Sequence, residues 1–330
     1  MDVSTALRGI RWLLVCVGAM GVTMGAATPA VAVDTCRLGA YVADLYALDT
    51  TTRTIDADIW FWSVCPRPDL EPIKRFEFIN ASSTRQADQV SVTEHGLYWT
   101  YQKVVGTYRE NFNLSDYPFD RQTVNFVVED TRDTSQFVYT PDTVGSTYNH
   151  GTRLSSFEIT DFRTLVRDHR YTMAFGNPDV RPRSGSAYHQ FIIQMRVARN
   201  DASGFVKETL PVYVAFLISL VSFFLWSEEE TPLLGARLGL LGAALFAIVV
   251  NMRAAGQSLG IMHGMTLVDQ IHLYSLVYVF IGVATTTYAW RVSIRTGGQA
   301  RARRVNQVVA VSATSLYLAT TGIAITLALQ

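Results

Sequence analysis

Four long apolar stretches in the C-terminal part of the chain constrain its fold more than any other feature. Each is long enough to cross the ~30 Å hydrocarbon core of a membrane as a helix. Three of the stretches, at 210–227, 271–290 and 305–330, contain no charged residue, and the second, at 231–252, contains only Arg237. The sequence therefore predicts four transmembrane helices, at about 210–227, 231–252, 269–292 and 305–329. Thr231 and Pro232 suit the start of the second helix, as its N-cap and first helical residue.

The distribution of charge divides the chain at the same place. Residues 34–207 hold 41 charged residues in 174 positions, and residues 208–330 hold 12 in 123. The first value is typical of a soluble domain and the second of a membrane domain. Equal numbers of basic and acidic residues, 28 each, argue against a polybasic nucleic-acid binder. Three cysteines are too few for a small disulfide-based scaffold.

The N-terminus has the pattern of a secretory signal peptide. Arg8 and Arg11 flank an apolar run at 12–24, and Ala30-Val31-Ala32 resembles a cleavage site. The sequence therefore predicts a signal peptide over 1–32; the alternative is a first transmembrane helix. Five arginines lie in or beside the link between the third and fourth apolar stretches: Arg291, Arg295, Arg301, Arg303 and Arg304. The positive-inside rule puts that link in the cytoplasm, and hence residues 33–207 and the C-terminus in the periplasm of a bacterial inner membrane.

Residues 33–207 carry the pattern of an all-β, immunoglobulin-like sandwich. Short runs with alternating apolar residues recur between turn-forming residues, and Phe191–Arg199 is the clearest of them. Further strands are predicted at 38–48, 55–64, 90–92, 97–105, 123–128, 136–139 and 157–165. We find no phosphate-binding loop, no zinc spacing and no nucleophile elbow. The sequence thus predicts neither an enzyme nor a metal or cofactor site.

Cys36 and Cys65 flank a predicted hairpin of the first two strands. If its turn is centred between Thr50 and Thr51, the two cysteines lie directly opposite each other. This register predicts a cross-strand disulfide. Two free thiols are the alternative, because a shift of one residue would place the sulfurs on opposite faces.

The second apolar stretch has a polar side and a small-residue side. Arg237 and Asn251 fall within about 40° of each other on a helical wheel. Polar residues inside a membrane usually face water or partner chains, so this side suggests several copies around a water-filled axis. The alternative is that Arg237 pairs with a carbonyl or acid of a neighbouring helix. The opposite side holds residues suited to close helix packing: Gly235, Gly239, Gly242 and Ala243.

The segment Phe112-Asn-Leu-Ser-Asp-Tyr-Pro-Phe-Asp-Arg-Gln122 resembles the loop between the sixth and seventh strands of pentameric ligand-gated ion channels. The resemblance extends over the whole mature chain, with a β-sandwich, four spans, and Leu210-Pro211 at the first span. Glu110 and Val124 stand where animal receptors have the cysteines that bracket this loop, as in the prokaryotic members. The resemblance implies five identical subunits around a central pore lined by the second helix.

The same resemblance implies two sets of functional residues in the β-domain. The coupling set meets the membrane domain and comprises Asp49, Pro118, Phe119, Asp120 and Arg199. The agonist set lies between subunits and comprises Phe78, Asn80, Glu129, Thr131, Tyr171, Phe175 and Tyr188 on one side and Tyr98 and Tyr101 on the other. Aromatic rings around an acidic group suit a cationic amine, although packing competes as the explanation for each ring.

Two registers are possible for the pore. The first places Glu229 and Glu230 at the cytoplasmic mouth, where acidic rings favour cations. Its pore-lining residues are Leu233, Arg237, Leu240, Ala244, Ala247 and Asn251, with Leu240 as the gate. The second register places Gly235-Ala236-Arg237 at the mouth, as in anion-selective members, with Phe246 as the gate. The helix start at Thr231-Pro232 favours the first.

The sequence therefore predicts a homopentameric, cation-permeable channel gated by a small-molecule agonist. Protons are a second possible agonist, because two histidines, His263 and His272, lie near the link between the second and third spans. The alternative functions are an anion-selective channel and a non-conducting receptor anchored in the membrane. A membrane enzyme would need a catalytic set that the sequence lacks.

Overall fold

Two β-sheets form the N-terminal part of the chain, and four helices form the C-terminal part. The structure is a computed structural model, and it describes residues 33–154, 156–173, 175, 185–199, 201–226, 232–259 and 264–329. The predicted signal peptide, residues 1–32, lies outside the described residues.

The strands, numbered along the chain, are β1 Asp34–Asp49, β2 Thr54–Cys65, β3 Phe76–Phe78, β4 Ala81–Gln86, β5 Val90–Glu94, β6 Leu97–Arg109, β7 Arg121–Asp130, β8 Phe137–Pro141, β9 Thr147–Tyr148, β10 Phe157–Tyr171 and β11 Ser186–Arg199. The first sheet has the order β4-β6-β2-β1-β8, with β5 beside β6 and β9 beside β1. The second has the order β10-β11-β7-β3.

Alternate residues of both sheets meet in one core. Ile59 and Phe61 of β2 and Phe191 and Ile193 of β11 are fully buried in the same cluster. Burying one side of every strand is what the alternating pattern predicts, so the predicted β-sandwich is confirmed. The structure adds the short strands β3, β4 and β9, which the sequence does not predict.

The hairpin of β1 and β2 carries the disulfide between Cys36 and Cys65, whose Cα atoms are 4.6 Å apart. Its turn differs from the predicted one, because Asp49 pairs with Thr54 and not with Thr52. Two bulges in β1 remove this offset, and Arg37 therefore lies opposite Val64 as expected. The bulges restore the register that brings the two cysteines together.

The helices are α1 Ala202–Phe224, α2 Pro232–Leu259, α3 Leu267–Ser293 and α4 Gln299–Ala328. All four are long and apolar enough to cross a membrane, as the sequence predicts. They pack through aromatic and small residues; the rings of Phe216 and Tyr317, for example, stack with centroids 4.2 Å apart. The chain therefore has the architecture of a multi-pass membrane protein.

The first helix begins earlier than the sequence predicts. The side chain of Asp201 accepts a hydrogen bond from the backbone N–H of Gly204 at 2.7 Å and caps the helix there. Pro211, expected near the helix start, lies inside α1. The third helix also begins early, because Thr266 and Asp269 form a reciprocal capping box.

Candidate functional site

The loop between β6 and β7, residues 110–120, rests on the helical bundle. Leu114 and Tyr117 pack against Val268 of α3. The ring of Phe119 lies 5.2 Å from that of Phe205 in the first turn of α1. Apolar side chains of one loop thus contact the starts of two helices, α1 and α3.

Arg199 and Asp120 form a buried ion pair beside this contact. The Arg199 Nε donates to Asp120 Oδ1 at 2.7 Å, and the Arg199 backbone N–H donates to the Asp120 carbonyl at 2.9 Å. The guanidinium also lies over the rings of Tyr117 and Phe157, at 4.9 and 4.3 Å from their centroids. Side-chain exposure is 11% for Arg199 and 1% for Asp120. The pair therefore ties the last strand, which leads into α1, to the end of the loop.

Asp49, the other acid of the coupling set, does not join this pair. Its Oδ1 accepts hydrogen bonds from the backbone N–H groups of Thr51 and Thr52, at 2.7 and 3.3 Å. These bonds, the one from Thr51 above all, lower the pKa of the Asp49 carboxyl. Asp49 therefore shapes its own hairpin turn, and the charged centre is the Arg199–Asp120 pair.

A polar network joins the loop to three helices. The Tyr117 hydroxyl donates to Glu208 Oε1 of α1 at 2.8 Å. Asn251 of α2 donates to the Glu208 carbonyl at 2.7 Å, and its amide nitrogen is 2.9 Å from His272 Nε2 of α3. Burial raises the pKa of Tyr117, helped by the bond to Glu208, so the hydroxyl stays a donor at neutral pH. His263 lies outside the described residues.

Glu208 and Tyr117 are functional candidates that sequence reasoning missed. The sequence does show that Glu208 is an acid at the edge of an apolar stretch and that Tyr117 directly precedes Pro118. Neither signal shows that the two side chains meet, because they are 91 positions apart in the chain. Only the docking of the loop on α1 brings them together.

Hydrogen bonds between Glu110 and Asn125 close the same loop. Glu110 Oε2 accepts from the backbone N–H and the side-chain amide of Asn125, at 2.9 and 3.2 Å. Asn125 is adjacent to Val124, the second position of the absent cysteine pair. These hydrogen bonds thus hold the two ends of the loop together.

Four residues of the agonist set lie together at the end of the β10–β11 hairpin. This Glu129 cluster consists of Glu129, Tyr171, Phe175 and Tyr188. The ring centroid of Tyr171 is 5.0 Å from that of Phe175 and 5.7 Å from that of Tyr188. The Tyr171 hydroxyl donates to both carboxylate oxygens of Glu129, at 3.0 and 3.1 Å. Burial and this bond raise the pKa of Tyr171 to about 12, so the hydroxyl remains protonated.

The cluster also contains two residues that the sequence did not indicate. Gln190 donates to Glu129 from the neighbouring strand. Glu77 lies directly opposite Glu129 in the β3–β7 pair. Two carboxylates on adjacent strands beside three aromatic rings make this end of the sheet suited to a cation. Glu77 could not be predicted as a neighbour of Glu129 because the sequence does not show that β3 pairs with β7.

Phe78, Asn80 and Thr131 do not join the cluster. The ring of Phe78 packs edge-on against Phe61 in the sandwich core. The Asn80 side chain bonds three backbone groups, the carbonyls of Arg109 and Asn125 and the N–H of Val127. These contacts correct the expectation for Phe78 and Asn80, because both side chains hold the fold together. Thr131 is exposed beyond the end of β7.

Tyr98 and Tyr101 lie on β6 of the other sheet. The ring of Tyr101 is 4.9 Å from Trp99 and 6.2 Å from Trp60, and both tryptophans are more than a third exposed. The Tyr98 hydroxyl donates to Glu71 at 3.1 Å. An aromatic patch therefore faces outward from the first sheet, separate from the Glu129 cluster.

The polar side of α2 faces the interior of the bundle. Arg237 is 4% exposed, and its Nη2 donates to Asn306 Oδ1 of α4 at 2.6 Å. Ala244 is fully buried among residues of α1 and α3, and Asn251 contacts both helices. Arg237, Ala244 and Asn251 are therefore corrected from pore-lining to bundle-facing positions. The bond to an amide oxygen agrees with the alternative in which Arg237 pairs with a neighbouring helix. Leu233, Leu240 and Ala247 are half-buried, and Glu229 and Glu230 lie outside the described residues.

The other side of α2 is open within the subunit. Phe246 is 71% exposed and lies on this side with Val249 and Val250. A Cβ atom added at Gly235, Gly239 or Gly242 would meet nothing within 4 Å. The small-residue side, expected to pack closely, therefore has no neighbour among the described residues.

No protein-family model matches this chain, and no curated protein sequence matches it significantly. The functional argument therefore depends on the residues and contacts described above.

Proposed function

We propose that this protein is a ligand-gated ion channel of the prokaryotic pentameric type, with five identical subunits around a central pore. The open side of α2 is the observation that carries the proposal. One side of α2 is packed against α1, α3 and α4. The other side is apolar, with small residues and the exposed Phe246. Such an open side is suited to contact with the same helix of other subunits. A ring of five such sides would form the pore wall.

The pore in this proposal has the gate of the second register, Phe246, and the acidic mouth of the first register. Five Phe246 rings would form an apolar constriction that closes by excluding water. Arg237 is buried inside each subunit, so it adds no positive ring to the wall. Glu229 and Glu230 precede α2 in the sequence, and acidic rings at that mouth would favour cations. We therefore propose cation permeability.

Gating in this proposal follows the contacts between the two domains. An agonist that binds the open state more tightly shifts the population toward it. The Glu129 cluster has residues on β7, β10 and β11. Strand β11 ends at Arg199, whose partner Asp120 follows the loop that contacts α1 and α3. A displacement of these strands would thus reach the helices through packed side chains.

Phe246→Ser is expected to increase the resting current of the purified protein in planar bilayers, because a polar side chain hydrates the constriction. Phe224→Ser is the matched control; Phe224 is 76% exposed on α1 and should leave the resting current unchanged. Equal effects of both substitutions would contradict the proposed pore wall. The reversal potential of the same currents distinguishes a cation channel from an anion channel. No current under any condition, including pH steps and a panel of amines, would favour a non-conducting receptor.

We expect the agonist to be a cationic amine bound at the Glu129 cluster. Tyr188→Leu removes one aromatic face and should raise the half-maximal amine concentration about tenfold, as expected from a cation–π contact of about 1–2 kcal/mol. Tyr148→Leu removes an aromatic ring that packs on Phe162 of β10, and it should change this concentration less than about twofold, since it removes no cation–π contact. A proton-activated current that needs no amine and is unaffected by Tyr188→Leu would exclude this agonist site.

A further inference from the structure

A cavity of about 370 Å³ lies at the end of the bundle where α1 and α3 finish and α2 and α4 begin. All four segments contribute to its wall. The lining residues used below are Trp226, Arg237, Thr286 and Trp290. A cavity of this size is large enough for a small polar group.

Arg237 brings a buried positive charge to this cavity, and its described hydrogen-bond partner, Asn306, is uncharged. Its Nη2 donates to Asn306, whose own amide donates to the Phe223 carbonyl at 2.8 Å. That carbonyl belongs to the last turn of α1, which carries only a partial negative charge. Among the described residues no carboxylate forms an ion pair with Arg237. A buried charge without a counter-charge is costly, so an anion at this place would stabilise the fold.

Two buried polar atoms beside the cavity have no hydrogen-bond partner within the described part of the chain. These are the Nε of Arg237 and the hydroxyl oxygen of Thr286, which is 2% exposed. Both can donate to an anionic oxygen. An arginine and a hydroxyl group are a common pair of ligands for phosphate oxygens, because the guanidinium matches their geometry.

The position of the cavity along the bundle points to the membrane surface. Trp226 and Trp290 line it, and tryptophan is enriched at the depth of lipid headgroups. A second cavity at the same end is lined by Trp226, Arg303 and Arg304. Basic residues at such a surface attract anionic lipids.

We propose that this cavity binds a phosphate group of the membrane surface, the headgroup phosphate of an anionic phospholipid, and that Arg237 supplies the compensating charge. The lipid tail would lie along the outside of the helices. This site does not depend on conduction, so it can exist whether or not the protein is a channel.

Native mass spectrometry of the full-length protein tests the proposal with phosphatidylglycerol and phosphatidylcholine added to the detergent solution. The wild type should retain phosphatidylglycerol preferentially. Arg237→Gln should weaken this retention at least about tenfold, the factor that corresponds to 1.4 kcal/mol. Arg295→Gln is the matched control, because Arg295 is an exposed arginine near the same end of the bundle and is expected to change retention less than about twofold, as an exposed charge contributes little.

The remaining outcomes each decide a point. Equal losses in Arg237→Gln and Arg295→Gln would overturn the proposal, since the effect would then be one of surface charge. If Arg237→Gln does not fold, Thr286→Val is the second variant, because it keeps the charge of Arg237 and the shape of the threonine side chain. It should still weaken the retention of phosphatidylglycerol. Unchanged retention would overturn the proposed geometry. Inorganic phosphate alone, without lipid, is the second arm. If it raises the thermal stability of the wild type but not of Thr286→Val, and no lipid preference is found, the site binds free phosphate and the lipid assignment is wrong.

Discussion

Replacing Arg199 with Met is expected to lower the free energy of unfolding of the β-domain by about 3–5 kcal/mol, the usual cost of removing one partner of a buried ion pair. Asp120 is 1% exposed, and Arg199 is its charged partner. The substitution also removes the stacking of the guanidinium on Tyr117 and Phe157. Urea unfolding of the full-length protein in detergent, followed by tryptophan fluorescence, measures the change.

Arg196→Met is the matched control for this prediction. Arg196 lies on the same strand, and its pair with Asp161 is 3.8 Å long, with side-chain exposures of 55% and 43%. Exposed pairs of this kind contribute about 0–1 kcal/mol. If Arg199→Met destabilises the protein no more than Arg196→Met does, the buried pair does not stabilise the junction between β-domain and helices.

Removing the disulfide with the double substitution Cys36→Ser and Cys65→Ser is expected to cost about 3–4 kcal/mol. The bond closes a loop with a sequence separation of 29 residues, and a loop of about 30 residues gives this value in the chain-entropy treatment. Both cysteines are buried in the sandwich core, so two hydroxyl groups there add a desolvation penalty. The same urea titration measures the loss.

Reducing agent provides the control for the disulfide. Dithiothreitol should shift the unfolding midpoint of the wild type toward that of the double variant and leave the variant itself unchanged. A midpoint of the wild type that does not respond, together with a variant as stable as the wild type, would show that the bond contributes nothing to stability.

The sequence was sufficient to predict the architecture, because burial leaves periodic signals. Alternating apolar residues in Phe191–Arg199 follow from a strand with one side in the core, and the four apolar stretches follow from membrane-crossing helices. The strand β4, Ala81–Gln86, escaped prediction because its residues are polar and mostly exposed. β4 lies at the edge of the sheet through its pairing with β6. Its own residues have no alternating apolar pattern.

The side of α2 that faces the bundle could not be predicted from one helix. Arg237 and Asn251 gave the correct polar side, but polarity indicates water and buried polar partners equally well. The partners Asn306 and Glu208 belong to other helices. The Glu129 cluster shows the same limit, since Glu77 and Gln190 reach Glu129 only through strand pairing.

The two polar anchors of α2 restrict how that helix can move. Arg237 is held by α4, and Asn251, fourteen positions later, is held by α1 and α3. The two anchors are about 21 Å apart along the axis and on nearly the same side of the helix. Rotation of α2 about its own axis would break both sets of bonds at once. Tilting α2 about one anchor breaks only the hydrogen bonds at the other anchor. Tilting therefore costs less free energy than rotation.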